Sequence, residues 1–281
     1  MSKLSVVLAT RNEEKNIGPC LESVREIADE IIVVDEYSTD DTREIAKRYG
    51  AKVYLEPHHD IFHITKQKAL ERASGDWILQ LDADEIVTKA LSNEIRKFVA
   101  DNIQPQKPPK LFLRHQRLLE QRDGKIGRDS GEVVAFFVPR LNYFLGKPLR
   151  YAGVYPDGVI RLVKRGKAHF PQVSVHEQIE IDGRVGWLAN NLEHHDSPTL
   201  GRYLSRLNRY TDLKAMEFKE QGLSKNIFTL FSFSFLKPLL VFLNLYFRHK
   251  GFLDGMRGFV WSLFSSWHYP IAYYKYWTDT K

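Results

Sequence analysis

The chain has 281 residues, of which 43% are hydrophobic and 27% charged, a composition that is typical of globular proteins and excludes a disordered chain. The net charge of +6 at pH 7 is compatible with a phosphate-bearing ligand, an anionic lipid or nucleic acid. The basic residues are dispersed, with only short clusters such as RHK at 248–250, which argues against nucleic acid. Cys20 is the only cysteine, so an internal disulfide is excluded and a cytosolic location is expected.

The first hundred residues contain continuous apolar runs of the kind found in strands buried on both faces. These runs cover residues 4–9, 30–35, 52–55 and 77–82. Segments with helical spacing separate them, at about 14–28, 40–49 and 64–74. Repeated alternation of strand and helix predicts a parallel sheet with right-handed crossovers.

Polar residues stand where three of these strands end, and ligands of such sheets bind beyond the carboxyl ends of the strands. These ends read Thr10-Arg11-Asn12-Glu13, Asp35-Glu36 and Asp82-Ala83-Asp84. Asp82 and Asp84 lie at i and i+2, so both side chains can reach one site. Mg²⁺ and Mn²⁺ prefer carboxylate and phosphate oxygens, so we predict a nucleotide diphosphate held with a divalent cation. The alternative for Asp84 is the N-cap of a helix at about 88–99.

Basic residues and histidines supply further candidates for this site. Arg11 and Lys66 could neutralise phosphate charge. His194 and His195 are neighbours, and adjacent strand residues point to opposite faces, so at most one of them is expected to bind a metal ion. The alternative for His194, His195 and His176 alike is a histidine that lies on the polar surface or is buried and hydrogen-bonded. The sequence lacks a GxSxG motif and a glycine-rich dinucleotide fingerprint, which disfavours a serine hydrolase and a dehydrogenase.

The rest of the chain falls into two further regions. Residues 101–110 are proline-rich and predict a linker or surface crossing, after which strands and loops are expected up to about residue 195. From residue 199 the pattern is helical. We therefore divide the chain into three segments, residues 1–100, 101–198 and 199–281, the last of them helical.

The stretch from 227 to 247 is close to the length that spans a bilayer. Lys237 and Pro238 interrupt its middle, and a charge at mid-membrane is costly. Aromatic and basic residues continue on both sides, which favours helices lying in the membrane interface. A true span and an ordinary buried helix pair are the alternatives.

Several segments together resemble family 2 glycosyltransferases with the GT-A fold. They are LSVVLATRNEEKNIGPCLESV, ADEIIVVDEYSTDDT, GAKVY and ALERASGDWILQLDADE. The later segments YPDGVIRLVKR, VHEQI, HHDSPTLGRYLSRLNRYT and GFLDGMRGF are similar to the branch of bacterial lipopolysaccharide-core β-glucosyltransferases. The implied architecture is a Rossmann-like, mostly parallel central sheet flanked by helices, with a C-terminal helical, membrane-associated extension.

The resemblance implies an inverting transfer of a sugar from a nucleotide-diphosphate donor, and it assigns residue roles. Asp84 would bind Mn²⁺ or Mg²⁺ directly as part of a DxD motif, Asp82 would contact the ribose or the metal, and His194 is the better histidine candidate. The remaining donor-binding residues implied are Thr10, Arg11, Asn12, Glu13, Asp35, Lys66 and Ala83. A carboxylate must take the proton of the acceptor hydroxyl. Glu177 is the first choice for this base and Asp157 the second.

The predicted function is therefore a metal-dependent hexosyltransferase that uses a UDP-sugar, with a saccharide or lipid-linked acceptor, at the cytoplasmic face of the inner membrane. A nucleotidyltransferase-like enzyme and a non-catalytic adaptor with the same fold are the alternatives. The chain departs from the branch at Glu36-Tyr37, where a small pair is usual, at Gln67 and at Val154. These departures concern the choice of sugar and acceptor more than the reaction.

Overall fold

The computed structural model describes residues 2–101, 105, 107–171 and 179–278. The chain divides into two compact units, one formed by residues 1–141 and 156–194 and the other by residues 142–155 and 195–281. The three segments predicted from sequence follow chain order and stay a prediction.

A single large sheet contains most of the strands. In chain order these are β1 (Leu4–Thr10), β2 (Glu30–Asp35), β3 (Lys52–Leu55), β4 (Trp77–Leu81), β5 (Glu85–Val87), β6 (Val133–Phe144), β7 (Lys147–Pro148), β8 (Asp157–Lys164), β9 (Ala168–His169), β10 (Glu180–Ile181), β11 (Arg184–Trp187) and β12 (Leu192–Ser197). The spatial order is β3-β2-β1-β4-β8-β6-β12-β5, with β7 and β11 also paired to β6. Strands β9 and β10 form a separate pair.

The first four strands form the parallel part of the sheet. Every residue of β1 and β4 is buried, as the continuous apolar runs predict. The register pairs Thr10 with Asp35 and Leu8 with Leu81, so the carboxyl ends of β1, β2 and β4 meet at one edge. This register brings the predicted polar strand ends together.

The later strands pair mainly in the antiparallel sense, including β4 with β8, β8 with β6, and β12 with β5. The sheet as a whole is therefore mixed, and the predicted parallel arrangement describes β1 to β4. The α/β class with a GT-A architecture and a C-terminal helical region is confirmed.

Within the described residues, five helices belong to the first unit: α1 (Ile17–Val24), α2 (Thr42–Arg48), α3 (Phe62–Glu71), α4 (Lys89–Asp101) and α5 (Lys110–Asp123). The first four lie where helices are predicted. The expectation of strands and loops directly after residue 110 is wrong, because α5 occupies that segment. Phe112 is buried there and packs on Trp187, with 4.9 Å between the ring centroids. Tertiary packing of this one aromatic side chain stabilises a helix whose other residues are mostly polar.

An aromatic cluster anchors the strand that carries the acidic pair. Trp77, the first residue of β4, contacts Phe98 of α4 edge to face at 4.8 Å between centroids. Phe98 contacts Phe136 of β6 in the same way at 4.7 Å. Aromatic pairs of this geometry contribute about 1 kcal/mol beyond the area they bury. The cluster fixes β4 between its neighbours and with it the position of the residues that follow.

The second unit is mainly helical. Its helices are α6 (Leu200–Glu220), α7 (Ile227–Phe231), α8 (Lys237–Leu243) and α9 (Gly255–Thr278), with π-helical turns at Ser232–Leu236 and Asn244–Arg248 and a 3₁₀ turn at Gly251–Asp254. Thr199 caps α6 by accepting a hydrogen bond from the backbone N–H of Arg202. Phe218, Phe233 and Tyr273 form a buried core with Ala272 and Tyr276.

Within the described residues, one helix, Ile227–Arg248, is long and apolar enough to cross a bilayer. Almost none of it is buried, and Phe228 is 82% exposed. The alternative of an ordinary buried helix pair is therefore wrong. The exposed face includes Phe231, Phe235, Leu236, Leu239, Leu240, Leu243 and Phe247.

Candidate active site

The ends of β1 and β2 are fastened together by Asp35. Its carboxylate accepts hydrogen bonds from the Thr10 hydroxyl at 2.9 Å, the Ser38 backbone N–H at 2.8 Å and the Ser38 hydroxyl at 2.5 Å. Thr10 and Asp35 are both fully buried. In this structure Asp35 shapes the loop after β2 from inside, and its contact with a nucleotide base stays a prediction.

The residues after Thr10 continue this interlock. Asn12 has a left-handed backbone with φ of 56°, and its amide oxygen accepts from the Thr39 backbone N–H at 2.8 Å. The Asn12 backbone N–H donates to the Ser38 hydroxyl, and that of Glu13 donates to the Thr42 hydroxyl at 2.7 Å. Asn and Asp tolerate the left-handed region better than most residues, which fits Asn at this turn. Arg11 lies exposed between these anchors.

The end of β4 carries a partly buried ion-pair network around Asp82. One carboxylate oxygen lies 2.6 Å from Lys66 Nζ of α3, and the other lies 2.5 Å from Arg161 Nη2 of β8. Burial alone would raise the pKa of Asp82, but Arg161 and Lys66 outweigh it and hold that pKa well below its usual value. Asp82 is therefore ionised with both oxygens occupied by cations.

Glu85, the first residue of β5, completes this frame. Its side chain is fully buried and accepts from Arg161 Nε at 3.2 Å and Nη2 at 2.7 Å. The same carboxylate accepts the backbone N–H of Asp82 at 3.0 Å. Arg161 also donates to the Gln80 side-chain oxygen. Arg161 and Glu85 thus fix the side chain and the backbone of Asp82 from the buried side.

Asp84 faces a different partner, His194 of β12. Strand β5 pairs with β12 so that His194 lies opposite Glu85, and Asp84 Oδ2 lies 3.6 Å from His194 Nε2. Both side chains keep a minor exposed fraction, 19% for Asp84 and 11% for His194. Burial would raise the pKa of Asp84, but His194 lowers it overall. The buried Ala83 separates this pair from Asp82.

The Asp84 carboxylate is the kind of ligand that Mn²⁺ and Mg²⁺ prefer, and the imidazole nitrogen beside it can supply a further ligand to a transition-metal ion such as Mn²⁺. In the described ranges, no group of three or more His, Cys, Asp and Glu residues could form a closed metal site. Mg²⁺ is commonly bound by one or two protein carboxylates with substrate phosphates completing the coordination. The pair Asp84 and His194 therefore fits a cation that is shared with a phosphate ligand.

The other predicted residues are placed as follows. His195 is turned away from its neighbour and stacks on Tyr143, with 4.1 Å between ring centroids. Asp157, at the start of β8, accepts from Arg140 Nε at 2.9 Å and Nη2 at 2.6 Å. Glu177 and His176 lie outside the described residues. The structure thus brings together Asp82, Asp84, Lys66 and His194.

Sequence reasoning missed the buried and partly buried residues that organise these side chains. They are Gln80, Glu85, Arg140 and Arg161. Glu85 directly follows the DAD triplet, and Arg161 lies in the YPDGVIRLVKR segment. A charged residue within an otherwise apolar run, as at Arg161 in VIRLV, is a signal that could have identified a buried ion pair.

With its parallel β1 to β4 half and its C-terminal helical region, the chain has a fold of the GT-A class. The sequence profile described as glycosyl transferase family 2 matches residues 5–104. An uncharacterised glycosyltransferase of Rickettsia typhi is 30% identical over 94% of this chain and 82% of its own length. The chain belongs to glycosyltransferase family 2, which confirms the family predicted from its motifs.

Two further similarities were found. The lipopolysaccharide core biosynthesis glycosyltransferase LpsC of Rhizobium meliloti is 28% identical over 94% of this chain and 90% of its own length. Among solved structures, glucosyl-3-phosphoglycerate synthase from Mycobacterium tuberculosis, in complex with Mn²⁺ and UDP-glucose, is similar with a TM-score of 0.43 and 19% identity. That similarity covers 80% of this chain and 81% of the other.

Proposed function

We propose that this glycosyltransferase is an inverting, metal-dependent enzyme that moves a hexose such as glucose from a UDP-sugar to a saccharide or lipid-linked acceptor. The observation that carries the proposal is the approach of Asp84 to His194 at 3.6 Å, beside the Asp82–Lys66 pair at the carboxyl edge of the parallel strands. A diphosphate carries several negative charges, which a divalent cation held by Asp84 and His194 and the ammonium group of Lys66 would neutralise together.

The donor would lie across the ends of β1, β2 and β4. Lys66 and Arg11 would bind the diphosphate oxygens, and Asp82 would keep Lys66 in place. Thr10, Asn12, Glu13, Asp35 and Ala83 would shape the wall around the nucleoside. The loops after β1 and β2 are hydrogen-bonded to each other, so contacts within the protein hold this wall together.

Asp84 and His194 would hold the divalent cation, with Asp82 in reach of the donor ribose. When bound, Mn²⁺ or Mg²⁺ would neutralise the charge that develops on the leaving diphosphate. The low pKa of Asp84 keeps its carboxylate ionised at neutral pH, as metal binding requires. Lys66 would stabilise the same leaving group through a second, fixed positive charge.

A carboxylate must remove the proton from the acceptor hydroxyl as that oxygen attacks the anomeric carbon. Asp157 accepts hydrogen bonds from two N–H groups of Arg140, so its carboxylate is already engaged within the protein. This supports Glu177 as the base, with Asp157 as the second choice.

The acceptor belongs, in this proposal, to lipopolysaccharide or another cell-envelope glycan, because the relative from Rhizobium meliloti is named for lipopolysaccharide core biosynthesis. The exposed apolar helix Ile227–Arg248 supports docking at the cytoplasmic face of the inner membrane. Lys225, Lys237, Arg248 and Lys250 lie within or beside it and complement anionic lipid. A peripheral position there would bring the enzyme to a lipid-linked acceptor.

A donor screen tests the proposal. Purified protein is mixed with a panel of nucleotide sugars, with and without Mn²⁺, and release of nucleoside diphosphate is measured. We expect Mn²⁺-dependent release from a UDP-hexose and its loss in Asp84→Ala. The matched control is Asp101→Ala, an exposed carboxylate at the end of α4. Undiminished activity of Asp84→Ala would remove this residue from the site and contradict the proposal.

A further inference from the structure

Glu36 is a buried carboxylate that none of the roles above explains. It follows Asp35 at the end of β2, and its side chain has no exposed surface. One oxygen accepts a hydrogen bond from the hydroxyl of Thr65, which is itself fully buried. The other lies 2.6 Å from His58 Nδ1. Among the described residues, His58 is its only ion-pair partner, so no lysine or arginine pairs directly with this carboxylate there.

The chain of contacts continues from His58 to the surface. His58 Nε2 lies 2.8 Å from Arg11 Nη1. A guanidinium has donors only, so Nε2 must accept the hydrogen bond and must carry no proton. The other ring nitrogen, Nδ1, then carries the hydrogen and donates it to Glu36. The order of donors is therefore fixed, from Arg11 to His58 to Glu36.

This arrangement leaves most of the guanidinium available. A direct pair with a carboxylate would be bidentate and would occupy two of its five N–H groups. The neutral imidazole of His58 accepts only one N–H of Arg11. The buried negative charge of Glu36 favours the orientation of the imidazole in which Nδ1 donates to Glu36 and Nε2 accepts from Arg11. An exposed arginine otherwise keeps rotamer entropy that binding of a ligand would have to remove.

We propose that His58 and Glu36 are positioning residues that hold the Arg11 guanidinium in the orientation that binds the donor diphosphate. The proposal rests on the proposed function, because it requires Arg11 to contact that donor. It predicts that His58 acts only through Arg11. In a protein that already carries Arg11→Ala, replacing His58 should therefore leave the affinity for the donor diphosphate unchanged.

A double-mutant cycle tests this, with the dissociation constant of UDP measured by calorimetry in the presence of Mn²⁺ on the full chain. We expect Arg11→Ala and His58→Phe each to weaken binding about tenfold, the scale of a lost charge-assisted hydrogen bond. The double variant should bind as Arg11→Ala does. His58→Gln, whose amide can accept from Arg11 and donate to Glu36, should recover part of the loss. The matched control is His59→Phe, the neighbouring histidine outside this chain of contacts.

The outcomes separate the two proposals. If Arg11→Ala weakens UDP binding while His58→Phe binds as the unchanged protein does, the positioning role is wrong and the donor site stands. If the two losses add in the double variant, His58 acts independently of Arg11 and the proposal is equally wrong. If the unchanged protein binds none of UDP, GDP, ADP and CDP, the proposed function fails and this inference with it. Melting temperatures of all variants report whether any loss of binding reflects unfolding.

Discussion

The buried guanidinium of Arg161 helps to determine which side chains the two aspartates after β4 contact. Arg161 lies between Asp82 and Glu85, and its pKa is raised because these carboxylates outweigh the effect of burial. Since Asp82 is bound on one side by Arg161 and on the other by Lys66, it serves as a support for Lys66. Asp84 faces His194 instead. The i and i+2 spacing thus gives the two aspartates different partners: Asp82 pairs with cationic side chains, and Asp84 forms with His194 the pair to which we assign metal binding.

The base is the first residue-scale prediction. Glu177→Gln keeps the size of the side chain and removes its basicity, so donor binding should persist while turnover falls at least ~10²-fold, the usual scale for a general base. Steady-state rates and UDP affinity measured on the same preparation check this. Asp157→Asn is the comparison, because Arg140 already holds that carboxylate. Normal turnover in Glu177→Gln, with loss in Asp157→Asn, would exchange the two roles.

Glu30 gives a pH-dependent prediction. Burial alone would raise its pKa, but hydrogen bonds from Ser5 and Ser74 and the nearby Lys52 lower the value from 4.5 to about 2. The stabilisation is therefore fully present above about pH 4.5 and is lost as the pH falls through about 2. Glu30→Gln should lower the free energy of unfolding at pH 7 by roughly 1–3 kcal/mol.

Denaturant unfolding at a series of pH values measures this difference, which should shrink as the pH approaches 2. Glu26→Gln, an exposed carboxylate after α1, is the control and should change stability little. A Glu30→Gln penalty that is the same at pH 7 and near pH 2 would show that the carboxylate charge is not its cause.

At the scale of elements, the start of α9 passes unusually close to the preceding 3₁₀ turn. A β-carbon on Gly258 would lie 1.9 Å from the carbonyl oxygen of Gly251. Backbone cannot yield as a flexible side chain can, so Gly258→Ala should destabilise the protein by about 1–3 kcal/mol. Thermal or denaturant unfolding measures the change.

Gly201 supplies the matched control because it is also helical, in α6, and a β-carbon added there would have nothing within 4 Å of it. Gly201→Ala should be neutral or stabilise by up to about 1 kcal/mol, since alanine is the better helix former. Equal effects of the two substitutions would contradict the close approach at Gly258.

The elements that sequence could predict are those with a local signal. Strands β1 to β4 are recognisable because each is a continuous apolar run, and their polar ends follow directly. Arg161 and Glu85 are 76 positions apart, so their pairing depends on β8 lying antiparallel to β4, which no local pattern specifies. Helix α5 could not be predicted in this way because its packing depends on Trp187, a residue far along the chain.

For the candidate site, the same distinction holds. Asp82, Asp84 and His194 are candidates that the sequence already offers, because strand alternation allows at most one of the two adjacent histidines and the family resemblance favours His194. The structure brings these three side chains to one edge of the sheet, and their roles stay predictions. The placement of Asp35 is not foreseeable, because its hydrogen bonds to Thr10 and Ser38 require β1 and β2 to be in register. That register is a property of the sheet and of no single segment.

At the scale of the whole molecule, the exposed helix Ile227–Arg248 carries the prediction of membrane binding. The triple substitution Phe228→Ser, Phe231→Ser and Phe235→Ser should reduce co-sedimentation with vesicles that contain anionic phospholipid, because three exposed apolar side chains are removed. Their exposure predicts little loss of stability. Substitution is preferable to removing the residues after 220, since Tyr273 and Phe218 share a buried core.

Leu111→Ser with Leu118→Ser is the matched control, because both leucines are about half exposed on α5, in the other unit. This double variant should sediment with vesicles as the unchanged protein does. Undiminished sedimentation of the triple phenylalanine variant would mean that this helix is not the docking element. Raising the salt concentration should weaken binding if the neighbouring lysines contribute.

The hydrogen bonds from Asn12 and Glu13 to Ser38, Thr39 and Thr42 have a consequence for the energetics of ligand capture. Because these hydrogen bonds lie within the protein, the two loops become ordered when the chain folds, and ligand binding does not have to supply the entropy of ordering them. Capture at this edge should therefore proceed as rigid docking, with a heat-capacity change that reflects the contact surface alone and shows no coupled folding step.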